Sequence, residues 1–162
     1  MPLRSRTPLD WGHSALSDPI RLLTGIAKDE ASHLSQVTRL LIRRGGQMDR
    51  GHQSAYARAL RALVRKGGEG ELLDRLMVSA LIEARSCERF GILAATSPDE
   101  ELAAFYNALF SSELGHYKAF LRLANKVADK VVVEARWGQM LDHEARIVSE
   151  QPPGPRIHSG VA

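Results

Sequence analysis

Twice in this chain a glutamate and a histidine stand three residues apart inside an otherwise apolar helical stripe, and few folds give that pattern a reason to exist. Positions Leu102, Phe105, Leu109, Glu113, His116, Phe120 and Leu123 advance by threes and fours, the spacing that stacks side chains on one face of an α-helix. Leu23, Ile26, Glu30, His33, Val37 and Leu40 repeat it. A third stripe, Leu76, Ala80, Glu83, Cys87 and Phe90, carries one more acid inward. The pattern predicts three carboxylates and two imidazoles converging on one core. A bare buried carboxylate is costly unless it is paired or bound to a cation, and a pair of divalent cations would meet that cost. Mixed carboxylate and imidazole donors suit iron or manganese better than a thiolate-rich zinc site would, and iron does oxygen chemistry. The plainer reading is that Glu30 and Glu113 are satisfied by buried hydrogen bonds or ion pairs to Arg or His. The doubled motif weighs against it, although for either pair alone it would be the better account.

The punctuation between the stripes is helical almost throughout, which predicts an all-α chain. Asp18 and Pro19 read as an N-cap and first helical position, and the helix they open should run to Gly45-Gly46. A second helix, "SAYARALRALVRK", should close at Gly67-Gly68, and a third, beginning "ELLDRLM", should stop near residues 94–96. Ser97-Pro98-Asp99-Glu100 has the form of a capping box with Ser97 at the cap, opening the helix that holds Glu113. A weaker helical pattern covers roughly residues 130–150, and "QPPGPRIHSGVA" is a Pro/Gly-rich tail that cannot continue it. The organisation expected is an irregular segment over 1–18, a helical bundle over 19–150 and a tail over 151–162.

With 162 residues, 44% of them apolar, the chain can bury one core. Its single cysteine, Cys87, cannot form an internal disulfide, and neither a leader nor a run of about 18 apolar residues is seen. A reducing, cytoplasmic setting without membrane attachment is expected. Charge is unevenly spread: residues 39–66 hold seven arginines and one lysine against Asp49 alone, in a chain whose net charge is +3. Arg43, Arg44, Arg58, Arg61 and Arg65 make this segment a candidate nucleic-acid face, with a solvated helix surface as the bland alternative.

A ferritin-like di-iron bundle takes a Glu from each of two helices and a Glu-x-x-His from each of the other two. Both Glu-x-x-His motifs are here, with Glu83 as one lone acid. Glu83 precedes Glu113 by 30 residues, so on a pseudo-repeat the second lone acid should lie about 30 residues before Glu30, at or before Met1. The expectation is an N-terminally shortened bundle, or one completed some other way.

The motifs "DEASH", "IEARSCERF", "SELGHYKAFLRLA" and the terminal "RIHSG", with their spacing, resemble the bacterial non-haem di-iron tRNA hydroxylases that act on 2-methylthio-isopentenyl-adenosine beside the anticodon. The similarity covers about residues 19–160. It implies that Glu30 and Glu113 bridge two iron ions, that His33 and His116 each cap one, and that Glu83 is a terminal carboxylate ligand. It further implies O2 as co-substrate, hydroxylation of an allylic methyl of the isopentenyl group, the tRNA anticodon loop as partner, and electrons from an external reductase or ferredoxin-type donor. Glu30 and Glu113 would then be the catalytic carboxylates. Cys87 and Tyr117 are expected to pack, Glu88 is second to Glu83, His143 has no assigned role, and His158 enters through the resemblance alone. Two rival readings remain: a shortened, inactive relative whose exposed apolar faces promote oligomers, and an iron-binding or oxidase bundle with no RNA substrate.

Overall fold

The computed structural model describes residues 13–48, 53–68, 70–152 and 154. Asp49 and Arg50 of the basic segment, and the terminal "RIHSG" with His158, lie outside them. The described residues form five helices: α1 (His13–Arg43), α2 (Ala55–Ala62), α3 (Gly70–Thr96), α4 (Glu100–Val127) and α5 (Lys130–Glu150). They fall into two compact units, Met1–Gly46 and Gln47–Ala162.

The first unit is α1. Its helix begins at His13, five residues before the expected cap, and Pro19 lies inside it rather than at its first position. Its C-terminal end is as read: Gly45 takes φ 77°, Gly46 N–H donates to Leu41 O at 2.9 Å and Gly45 N–H to Ile42 O at 3.0 Å. That paired closure needs a left-handed residue, which glycine supplies without steric cost. The inward stripe expected here is only partly buried. Ile26 is buried, whereas Leu23 and Val37 are exposed. Among the described residues of its unit, α1 has no second helix to cover a wide apolar face.

In the second unit α3 and α4 pack along their length, joined by a turn at residues 97–99. The predicted stripes hold best here: Leu76, Ala80 and Cys87 of α3 and Leu109, Phe120 and Leu123 of α4 are buried. The cap of α4 is Asp99, not Ser97. Asp99 Oδ1 accepts from Leu102 N–H at 3.0 Å, while Ser97 Oγ accepts from Asp99 N–H at 3.4 Å. A carboxylate is a stronger acceptor for an N-terminal amide than a hydroxyl, and it also complements the helix dipole, so the start moves two residues on.

Helix α2 stops at Ala62, earlier than its stripe suggested. Leu63 N–H and Val64 N–H tighten to bonds three residues back, and Arg65 N–H leaves the helix for Asp74 Oδ2 at 2.9 Å. The buried face of α2 is Tyr56 and Leu60; Arg58 and Arg61 are exposed. On α5, Val133, Met140 and Glu144 are buried, and Trp137 meets Tyr117 of α4 with ring centroids 6.4 Å apart. Tyr117 therefore packs, as expected.

Candidate metal centre

Glu83 on α3 and Glu113 and His116 on α4 are the pieces the second unit brings together. One ligand atom from each lies within 4.8 Å of the others. The sequence explains the meeting, since all three continue apolar stripes that the α3–α4 seam buries, and Glu113 and His116, one turn apart, are each only 5% exposed. Glu113 Oε2 lies 3.8 Å from His116 Nδ1. The corresponding pair on α1 has a like arrangement, with Glu30 Oε1 3.5 Å from His33 Nδ1, but the Glu30 side chain is half exposed at 49% while His33 is at 15%.

This donor set suits a hard or borderline dication. It offers carboxylate oxygens and an imidazole nitrogen, and collecting two acids in a largely buried space is favourable when a cation shares it. The neighbouring sulfur is not part of the set. Burial, followed by the charges of Glu113 and Glu83, pushes the Cys87 thiol up to about 11, and Sγ points to the Phe110 carbonyl at 3.9 Å. Buried and outside the ligand cluster, Cys87 fills space between the helices, as expected. Glu88, the second choice to Glu83, forms an ion pair with Arg85.

Elsewhere in the second unit the structure adds two buried carboxylates that periodicity did not single out. Asp74, with no exposed surface, accepts from Arg65 at 2.7 and 2.8 Å and from Arg136 at 2.9 and 3.0 Å. Burial alone would raise its pKa; the two guanidinium groups outweigh it and hold the carboxyl well below the usual carboxylate range. Glu144 accepts from Arg85 at 2.7 and 2.8 Å and from the Tyr56 hydroxyl at 3.0 Å. Burial first, and then Glu144, push the Tyr56 hydroxyl well above its ordinary value. The signal available for Glu144 was its place after Val133, Trp137 and Met140 on one stripe of α5. Arg65, read as a candidate RNA contact, has its guanidinium on Asp74; Arg58 and Arg61 stand exposed on the opposite side of α2 from Tyr56.

A family model described as tRNA-(MS[2]IO[6]A)-hydroxylase (MiaE) matches residues 13–159. The chain belongs to this hydroxylase family. A family member from Pseudomonas putida, named tRNA 2-(methylsulfanyl)-N(6)-isopentenyladenosine(37) hydroxylase, is 38% identical over 144 residues, covering 89% of this chain and 70% of that protein. One of the same name from Salmonella typhimurium is 34% identical over 151 residues, covering 93% of this chain. The chain spans about half the length of that relative, 54%. Among solved structures, a Synechococcus protein described as having aldehyde deformylating oxygenase activity superposes with a TM-score of 0.82 at 30% identity, over 86% of this chain and 71% of that one. The MiaE-family resemblance read from "IEARSCERF" and the Glu-x-x-His motifs is thus borne out, and the fold is the ferritin-like all-α class expected. Among the described residues no helix is long and apolar enough to cross a membrane.

Proposed function

We propose that this chain hydroxylates the isopentenyl group of 2-methylthio-isopentenyl-adenosine beside the tRNA anticodon, using two iron ions held by Glu30, His33, Glu83, Glu113 and His116. The observation that carries the proposal is the meeting of Glu83, Glu113 and His116 inside the α3–α4 pair of a chain whose family is named for that reaction. Bound iron would supply activation of O2 and insertion of one oxygen atom into an unreactive C–H bond. The protein's own part is to hold the ligands and keep the site dry. Glu83 and Glu113 would balance the metal charge, and Glu30 and His33 would complete the donor set from α1. Burial of Glu113 and His116 among Leu109, Ala119 and Phe120 limits water near the reacting centre.

The substrate fits the basic segment. An anticodon loop offers splayed bases to a pocket, and phosphate neutralisation by Arg43, Arg44, Arg58 and Arg61 would supply much of the affinity. A tRNA substrate implies work in the cytoplasm, with electrons from an external reductase or ferredoxin-type donor. The family match over residues 13–159 favours this reading over an inactive relative or a bundle without an RNA substrate.

The test has two parts: iron per chain after anaerobic ferrous loading, then mass spectrometry of nucleosides from tRNA treated with the loaded protein, O2 and a reductase. About two irons per chain and a gain of one oxygen atom on the prenylated adenosine are expected. Oxygen consumption with no change in that nucleoside would sink the tRNA hydroxylase reading.

A further inference from the structure

The short helix α2 is fastened at both ends by carboxylates that sit on its neighbours, and the fastening is reciprocal. At its first turn Tyr56 donates its hydroxyl to Glu144 of α5, and Arg85 of α3 holds the same carboxylate. Just past its last turn the Leu63 carbonyl accepts from Arg136 of α5 at 3.0 Å, Arg65 closes on Asp74 of α3, and Arg136 reaches that same carboxylate. So α3 gives one acid and α5 the arginine that meets it, while α5 gives the second acid and α3 its arginine. An eight-residue helix is too short to hold a defined orientation by its own hydrogen bonds. Two charge-assisted anchors about 10 Å apart along its axis fix both its tilt and its rotation.

That rotation decides where the arginines go. With Tyr56 and Leu60 turned inward, Arg58 and Arg61 lie on the far side of the helix, exposed, roughly one turn apart. We propose that Asp74 and Glu144, through Arg65, Arg136 and Tyr56, are positioning residues that present Arg58 and Arg61 of α2 as a rigid pair to the phosphate backbone of the RNA substrate. The inference rests on the tRNA hydroxylase reading above and deepens it: Arg65 becomes an anchor for the RNA-facing helix instead of a phosphate contact. Phosphate is the occupant that charge complementarity favours, because residues 55–66 hold no acid and, with Arg65 neutralised by Asp74, still carry Arg58, Arg61 and Lys66.

Salt-dependent tRNA binding and steady-state kinetics test this together. Replacing both exposed arginines (R58Q/R61Q) should weaken tRNA binding and lower the slope of log affinity against log salt by about 1.5 to 2, the signature of two lost phosphate contacts. Tyr56→Phe removes one hydroxyl and no charge. It should raise KM for tRNA about threefold to tenfold while kcat and iron per chain hold, a split that general destabilisation would not give. Asp74→Asn should act in the same direction, and if it fails to fold, Tyr56→Phe still decides. Wild-type KM and salt slope in Tyr56→Phe would overturn the positioning role. If R58Q/R61Q kept its tRNA affinity but turned over slowly with the reductase, this face would serve an acidic electron donor and the proposal would fall. Absence of tRNA binding and turnover in the unaltered chain would instead count against the hydroxylase reading itself.

Discussion

Asp74 on α3 and Arg136 on α5 meet with Oδ1 and Nε 2.9 Å apart around a carboxylate that has no exposed surface. The pair is 62 residues apart in the chain, and Arg65 closes the carboxylate's other side. A satisfied buried ion pair contributes little net stability, but removing one partner strands the other in a poorly solvated place.

The two arginines should therefore differ in worth. Arg136 is 15% exposed and also satisfies the Leu63 carbonyl, whereas Arg65 is 52% exposed. Arg136→Met is expected to destabilise the protein by about 3 kcal/mol. Arg65→Gln should cost about 1 kcal/mol, because water can replace much of what it gives. Urea unfolding midpoints at unchanged slope measure both, and equal losses would show that exposure does not set the difference.

Acid should expose the same site. In the unfolded chain the Asp74 carboxyl has its ordinary pKa of 3.8, and in the folded chain it is held below that. The contribution of a lowered carboxylate is complete above the unfolded value and is lost as pH falls through 3.8 toward the folded value. Asp74→Asn is expected to be less stable at neutral pH and to show a flatter decline below about pH 4. Parallel acid limbs for the two proteins would contradict the assignment.

Metal and stability should be coupled at Glu113. Glu83, Glu113 and His116 bring their ligand atoms within 4.8 Å, so a dication shared by all three would bind only the folded state and stabilise it. Ferrous loading should raise the melting temperature of the unaltered protein by a few degrees, and Glu113→Gln should lose most of that rise, bind less than about half the iron and abolish hydroxylation. A variant with wild-type iron content would remove Glu113 from the ligand set.

The Cys87 thiol, pushed up to about 11, should stay protonated near neutrality. Alkylation by iodoacetamide at about pH 8 is expected to be at least about 100-fold slower in the folded protein than in urea. Comparable rates would mean that the thiol is neither buried nor electrostatically suppressed.

Local periodicity carried a large part of this protein. The spacing around Glu113 and His116 was enough to place both inside the α3–α4 pair, Glu83 followed from the same rule on α3, and Gly45 marked the end of α1 because a left-handed closure requires it. These are properties of a helix and its immediate neighbours in sequence, and 3.6 residues per turn determines them wherever the helix ends up. Local signals failed where two local options competed. The capping-box pattern points to Ser97 where Asp99 caps α4, and the stripe of α2 continues to Lys66 where the helix stops at Ala62. Which option wins depends on an acceptor or partner from elsewhere, Asp74 in the case of Arg65.

The sequence by itself determined the all-α class, the two Glu-x-x-His pairs and the family. Only the tertiary structure decided that Tyr56 would bond Glu144, 88 residues away, and that Asp74 would be shared by Arg65 and Arg136. Helical periodicity records which face of a segment is apolar, and it says nothing about which other segment lies against that face. The pairing of buried charges follows from which helices become neighbours and at what angle, and those are set by packing across the whole unit.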